Sequence, residues 1–158
     1  MTVQQIQDIK NHMNANLNVI CPNGDTINNN LGNSNFQALA DYFNSSSAQQ
    51  IWRPDLDPKE LNKYLVMTEF QALTVQKQNG WFAIIGGNQV DATAALVRTN
   101  FSTIFGGGST TATNLSAAAR RLATVFESLY NTAEGGFFKT SAYGVLVTYS
   151  DIDLATKS

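Results

Sequence analysis

One cysteine, one histidine and few charges rule out much of the chemistry open to a chain of 158 residues. Cys21 stands alone, so there is no intrachain disulfide and no thiolate metal cluster, which fits assembly in a reducing cytoplasm. His12 is the only imidazole, and the loop opening at Pro22 breaks the helix face it would need to share with Cys21 for nucleophilic work. It reads as a surface helix residue. Ten Lys and Arg against twelve Asp and Glu give a net charge of −2, leaving no basic patch for a phosphate backbone and no expected direct nucleic-acid partner. No run approaches the ~18 apolar residues of a membrane span, and MTVQQIQDIK lacks the charged start and apolar core of a signal peptide. A soluble protein is expected, so Asn-X-Ser at Asn44, Asn100 and Asn114 carries no glycosylation argument.

What is present suits one domain over residues 1–158, with 43% hydrophobic residues to build a core. Thr2 and Gln5 form a capping-box pattern, and Val3, Ile6, Lys10, Met13, Leu17 and Ile20 recur at helical spacing, predicting an amphipathic helix over 1–20. CPNGDTINNNLGNSN predicts a long loop over 21–34, which with the first helix forms a more peripheral segment. Ser34 and Gln37 start a short second helix carrying Phe36, Leu39, Ala40 and Phe43, and Ile51-Trp52-Arg53 is extended before Pro54. Asp57, Pro58 and Glu60 mark the clearest helix start, followed either by one long helix to Gly86 or by two broken near Val66. Asp91 caps the next, with Val97, Phe101, Ile104 and Phe105 on one face. Leu115, Ala118, Leu122, Val125, Phe126 and Leu129 predict another helix closing near the Gly135-Gly136 pair. AYGVLVTY, 142–149, alternates Tyr143, Val145, Val147 and Tyr149 as a strand does, followed by a last helical turn from Ser150 in a C-terminal arm over 142–158. That strand pairs either inside the domain or with a neighbouring subunit. The expected fold is mainly α: a compact bundle of about five to six helices with glycine-rich turns, plus a short C-terminal β-strand or hairpin.

FGGGSTTATNL has the look of a phosphate loop. It lacks the preceding strand and the Walker lysine, since none occurs between Asn79 and Lys139, and the dinucleotide spacing fails as well. The structural reading is stronger: Gly106 ends one helix in a left-handed conformation, and Thr111, Thr113 or Asn114 caps the next. Asp55, Asp57 and Glu60 form the closest approach to a metal-binding cluster, and two of them are helix-start residues, so no metal site, cofactor site or catalytic set is expected. Arg53, Glu69, Arg98, Arg121 and Glu127 stand among apolar residues and read as half-buried ion pairs or as subunit-interface pairs.

IWRPDL, VMTEFQALTVQKQN, DATAALVRTNFSTIFGGGST, LSAAARRLATVFESLY and AYGVLVTYSDI together resemble a family of small structural proteins encoded with the capsid and neck genes of tailed bacteriophages. The likeness covers about residues 50 to 155, and its motifs are a Trp-Arg pair, a Thr-Glu helix start, a Val-Arg helix ending in Phe-Gly, an Arg-rich helix with Phe-Glu, and a Tyr-Gly-Val strand. The resemblance implies a non-enzymatic virion component, a head-to-tail connector of adaptor, neck or head-completion type. It would be built in the host bacterial cytoplasm as a homo-oligomeric ring under the portal, touching portal, neck or tail proteins. Candidate interface residues are Tyr143, Val145, Val147, Tyr149, Trp52, Arg53, Arg98, Arg121 and Glu127. Two other classes stay open: a capsid-associated, decoration or host-directed factor, and a small helical enzyme or ligand-binding domain with a pocket between helices.

Overall fold

The computed structural model describes Met1–Ser158. It corrects the expected fold class: ten helices and a four-stranded mixed sheet, 52% helix and 15% strand, make an α/β fold rather than a mainly helical bundle. No helix is long and apolar enough to cross a membrane. The chain divides into two compact units, one of residues 1–49, 122–131 and 140–158, the other of residues 50–121 and 132–139.

The first unit holds α1 (Val3–Ala15), α2 (Ile27–Gly32), α3 (Phe36–Asn44), α9 (Val125–Ser128) and α10 (Tyr149–Lys157). Thr2 and Gln5 form the capping box foreseen for α1, but the helix stops at Ala15 and buries Ile6, Ile9 and Met13, so Val3, Leu17 and Ile20 stay exposed. The supposed long loop contains α2, capped by Thr26, with Cys21, Ile27 and Asn30 buried. Leu39 and Phe43 of α3, Phe126 of α9, and Ile152 and Ala155 of α10 close the same core.

The second unit holds α4 (Pro58–Asn62), α5 (Met67–Gln71), α6 (Val75–Ile85), α7 (Ala95–Phe105) and α8 (Thr110–Ala118). Asp57 caps α4 as the sequence indicates, accepting from the Lys59 N–H at 2.8 Å. The run to Gly86 breaks twice, with Val66 at the start of α5 and Thr74 capping α6. Asp91 does not cap α7: it accepts from the Thr93 N–H and hydroxyl in a turn that precedes Ala94. Trp81, Phe101, Ile104, Phe105 and Leu115 form the core with Trp52, Leu56 and Leu61.

Strands β1 (Ser46–Trp52), β2 (Arg120–Thr124), β3 (Asn131–Glu134) and β4 (Phe137–Thr140) lie in the order β2-β1-β4-β3, and β1 runs parallel to β4 with Ile51 opposite Phe138. The helix expected over 115–129 is thus cut by β2, and Thr124 restarts the chain as α9 through a capping box with Glu127. The Gly135-Gly136 pair is a hairpin turn, not a helix end. Both residues have positive φ, +56° and +82°, as the two-residue turn favoured between twisted strands requires.

The expected strand over 142–149 does not form. Gly144 turns the chain with φ +71°, and its N–H donates to the Glu127 carboxylate at 2.7 Å. Val147 donates its N–H to Asn44 Oδ1 at 2.9 Å, while its carbonyl accepts from Asn44 Nδ2 at 2.7 Å. One amide side chain therefore does for Val147 what a neighbouring strand would do, and no second strand is needed. Asn44→Ala leaves both groups of this buried residue unpaired and is expected to lower the unfolding free energy by about 1–3 kcal/mol. Urea denaturation measures it, and a loss under about 0.5 kcal/mol would contradict the pairing.

Candidate functional site

A set of charged and aromatic side chains gathers in the second unit around Trp52 at the end of β1. Its indole Nε1–H donates to the Glu134 carbonyl at 2.8 Å, and its ring meets Phe137 edge-on at 5.3 Å. The Arg98 guanidinium lies 4.8 Å from the Trp52 ring centroid. Arg120 lies 5.6 Å from the same ring and 4.0 Å from that of Phe137. Contacts of this type contribute about 0.5–2 kcal/mol, more where water is excluded.

Arg98 is fully engaged on one side. Nη1 donates to the carbonyls of Ala92 and Thr93 at 2.8 and 2.6 Å, and Nη2 to Glu134 Oε1 at 2.6 Å. Hydrogen bonds from Arg98, joined by Lys139, hold the Glu134 carboxyl below its ordinary range. The hairpin turn comes close for this: a Cβ at Gly135 would sit 3.0 Å from Arg98 Nη2 and crowd the guanidinium, and the φ of +56° favours glycine there as well.

Beside this cluster, α7 and α8 frame a cleft of about 370 Å³, lined among others by Arg98, Gly107, Thr113, Ser116 and Arg120. The GGGST segment is the turn between those helices. Gly106 ends α7 with φ +88° and ψ 133°, so its φ is positive but its ψ is extended rather than left-handed helical. Ser109, not Thr111, Thr113 or Asn114, caps α8, accepting from the Ala112 N–H at 3.0 Å. Helix N-termini bind anions, and this one holds an anion of the protein's own. Glu69 accepts from the Thr110 N–H at 3.0 Å through one oxygen and from the Thr111 N–H at 2.8 Å through the other. Hydrogen bonds from Thr111, then Thr110, push its carboxyl below the usual value.

The remaining sequence candidates lie outside this cluster. Arg53 reaches Asp55 and Glu60 at 3.5 Å each, so two of the three DLDPKE acids pair with a cation while Asp57 caps α4. No group of three His, Cys, Asp or Glu side chains is placed to hold a metal ion. In the first unit, buried Glu127 accepts from the N–H groups of Thr124 and Gly144. Val147 is buried, Tyr143 and Val145 are half-buried, and Tyr149 is exposed with its ring 5.5 Å from Phe36. Arg121 is half-buried in β2. His12 is half-buried, its Nε2 3.0 Å from the Tyr42 hydroxyl, and burial lowers its pKa. Burial also pushes the Cys21 thiol up, away from the thiolate a nucleophile needs.

Among the sequence candidates, Trp52 and Arg98 meet in this cluster. Arg120, Glu134 and Phe137 were missed because the expected helix hid β2 and the hairpin, although the Gly-Gly pair between apolar-flanked segments is a hairpin signal.

Glu69 supports a pH prediction. Its folded pKa lies below the ordinary carboxylate value of about 4.3, so its contribution is complete above that pH and lost as pH falls through the folded value. The melting temperature of wild type should exceed that of Glu69→Gln at neutral pH, with the gap shrinking below about pH 4. A gap unchanged across thermal melts down to about pH 3 would contradict the carboxylate's role. Comparison with protein-family models, with curated proteins and with solved structures returns no match, so the site rests on its own geometry.

Proposed function

We propose that the chain is a non-enzymatic structural protein of a tailed-bacteriophage particle, a head-to-tail connector component that assembles as a homo-oligomeric ring against the portal. The observation that carries this reading is a set of large apolar side chains left in water on each unit. In the first, Met1, Val3 and Leu154 line an apolar groove between α1 and α10, with Val3 89% exposed. In the second, Met67, Val75 and Phe82 are exposed on α5 and α6, where Phe82 packs edge-on against Phe70. Grouped apolar surface marks interaction sites, and a closed ring needs two different faces on each copy. The residue types that do chemistry are spent elsewhere: Glu69, Arg98, Glu127 and Glu134 hold backbone groups or one another. Connector-like motifs in the sequence point the same way.

Light scattering coupled to size-exclusion chromatography tests the reading, on the chain alone and mixed with portal protein. The expected result is a ring-sized oligomer, or co-elution with the portal, and Phe82→Ser should weaken assembly by about tenfold with the circular dichroism unchanged. A monomer under both conditions overturns it.

A further inference from the structure

We propose that the cleft between α7 and α8 recognises a single carboxylate, carried by an acidic side chain of a peptide segment or by a small organic acid, with Arg120 as the residue that binds it. The site stands independently of ring assembly.

The charge accounting of this cleft leaves one cation uncommitted. Arg98, which also lines it, is neutralised by Glu134 at 2.6 Å. Arg120 forms no ion pair: its Nε donates to the Ser116 carbonyl at 2.8 Å, its Nη1 to the Gln50 side-chain oxygen at 3.3 Å, and its guanidinium carbon lies 4.0 Å from the Phe137 ring centroid. Neutral oxygens and ring faces orient the guanidinium and leave Nη2 without a protein partner. Burial pushes the Arg120 pKa down, which agrees with a charge that nothing nearby compensates.

Hydroxyls select the ligand further. Ser102 and Thr113 donate to the carbonyls of Thr99 and Ser109, so their protons are turned away from a ligand. Ser116 lines the cleft with a hydroxyl that no protein group occupies. The donors are therefore one guanidinium edge and one hydroxyl, which suit the two oxygens of a carboxylate. A phosphate dianion would call for a second free cation, and Arg98 is committed.

Titration followed by proton–nitrogen NMR tests this through the Trp52 indole Nε1–H and the Arg120 Nε–H resonances. The probes are glutarate, a short Glu-rich peptide, the same peptide with Gln for Glu, and inorganic phosphate. Saturable shifts with glutarate or the Glu peptide are expected, absent with the Gln peptide and weakened about tenfold or more in Arg120→Gln. Ser116→Ala, which keeps the arginine, should weaken binding about three- to tenfold. Tighter binding of the Glu peptide assigns the site to an acidic segment, and tighter binding of glutarate assigns it to a small acid. Absence of saturable shifts in the wild type, an undiminished response in Arg120→Gln, or tighter binding of phosphate than of either carboxylate overturns the proposal. Should Arg120→Gln fail to fold, Ser116→Ala decides, and unchanged affinity in it overturns the proposal.

Discussion

A helix cannot satisfy the N–H groups of its own first turn, and a chain cut into ten short helices meets that deficit repeatedly. Thr2, Thr26, Asp57, Thr74, Ser109, Thr124 and Thr148 each place a side-chain oxygen on a first-turn N–H. Thr2 with Gln5, Thr124 with Glu127 and Thr148 with Asp151 complete capping boxes. Helices this short are marginal in isolation, so caps and the apolar contacts beneath them decide where each begins. The low charge and abundant Ser, Thr and Asn therefore have a use inside the fold. Asn44 extends the same logic to Val147, a residue in no helix or strand.

In the second unit the corresponding task falls to Arg98. Its planar fork faces three oxygens at once, two carbonyls of the loop before α7 and the Glu134 carboxylate at the hairpin, while its guanidinium carbon lies 4.8 Å from the Trp52 ring centroid. Lysine could supply the charge without the geometry. Gly135 belongs to the same arrangement, because any side chain there would meet the guanidinium. Strand, hairpin and loop are thus held by one side chain that water reaches poorly, where ion pairs and hydrogen bonds count for more than on an open surface.

The elements legible in the sequence are those fixed by local signals. The Thr2 capping box, Asp57-Pro58 before α4, and the Phe101–Phe105 face all rest on residues within one or two helical turns, and each falls where its signal lies. The misreadings arise where a distant partner competes with local pattern. Leu115 to Leu129 keeps helical periodicity, yet the Ala119 carbonyl accepts from the Arg53 N–H and the Val125 N–H donates to Ser45. Those long-range bonds turn a helical stretch into α8, β2 and α9. Residues 142–149 alternate like a strand, and the side chains of Asn44 and Glu127 take the backbone groups that a strand would use. Within the candidate site, Trp52 and Arg98 stand out in sequence among apolar neighbours, whereas Arg120 and Phe137 acquire meaning only from the sheet.

The two ends of α8 answer the helix dipole differently, and the cleft beside the glycine turn is left with an unmatched charge. A helix carries about half a positive charge at its N-terminus and half a negative one at its C-terminus. Glu69 answers the first through two N–H groups and so takes the place an exogenous anion would need. Arg120 answers the second through the Ser116 carbonyl in the last turn. The carboxylate at the N-terminus is met by hydrogen bonds to both of its oxygens, but the cation at the C-terminus faces only partial charges and ring quadrupoles. Neither equals a full counter-charge, so the residual field along α8 is positive at the Arg120 end, where the cleft opens beside Ser116.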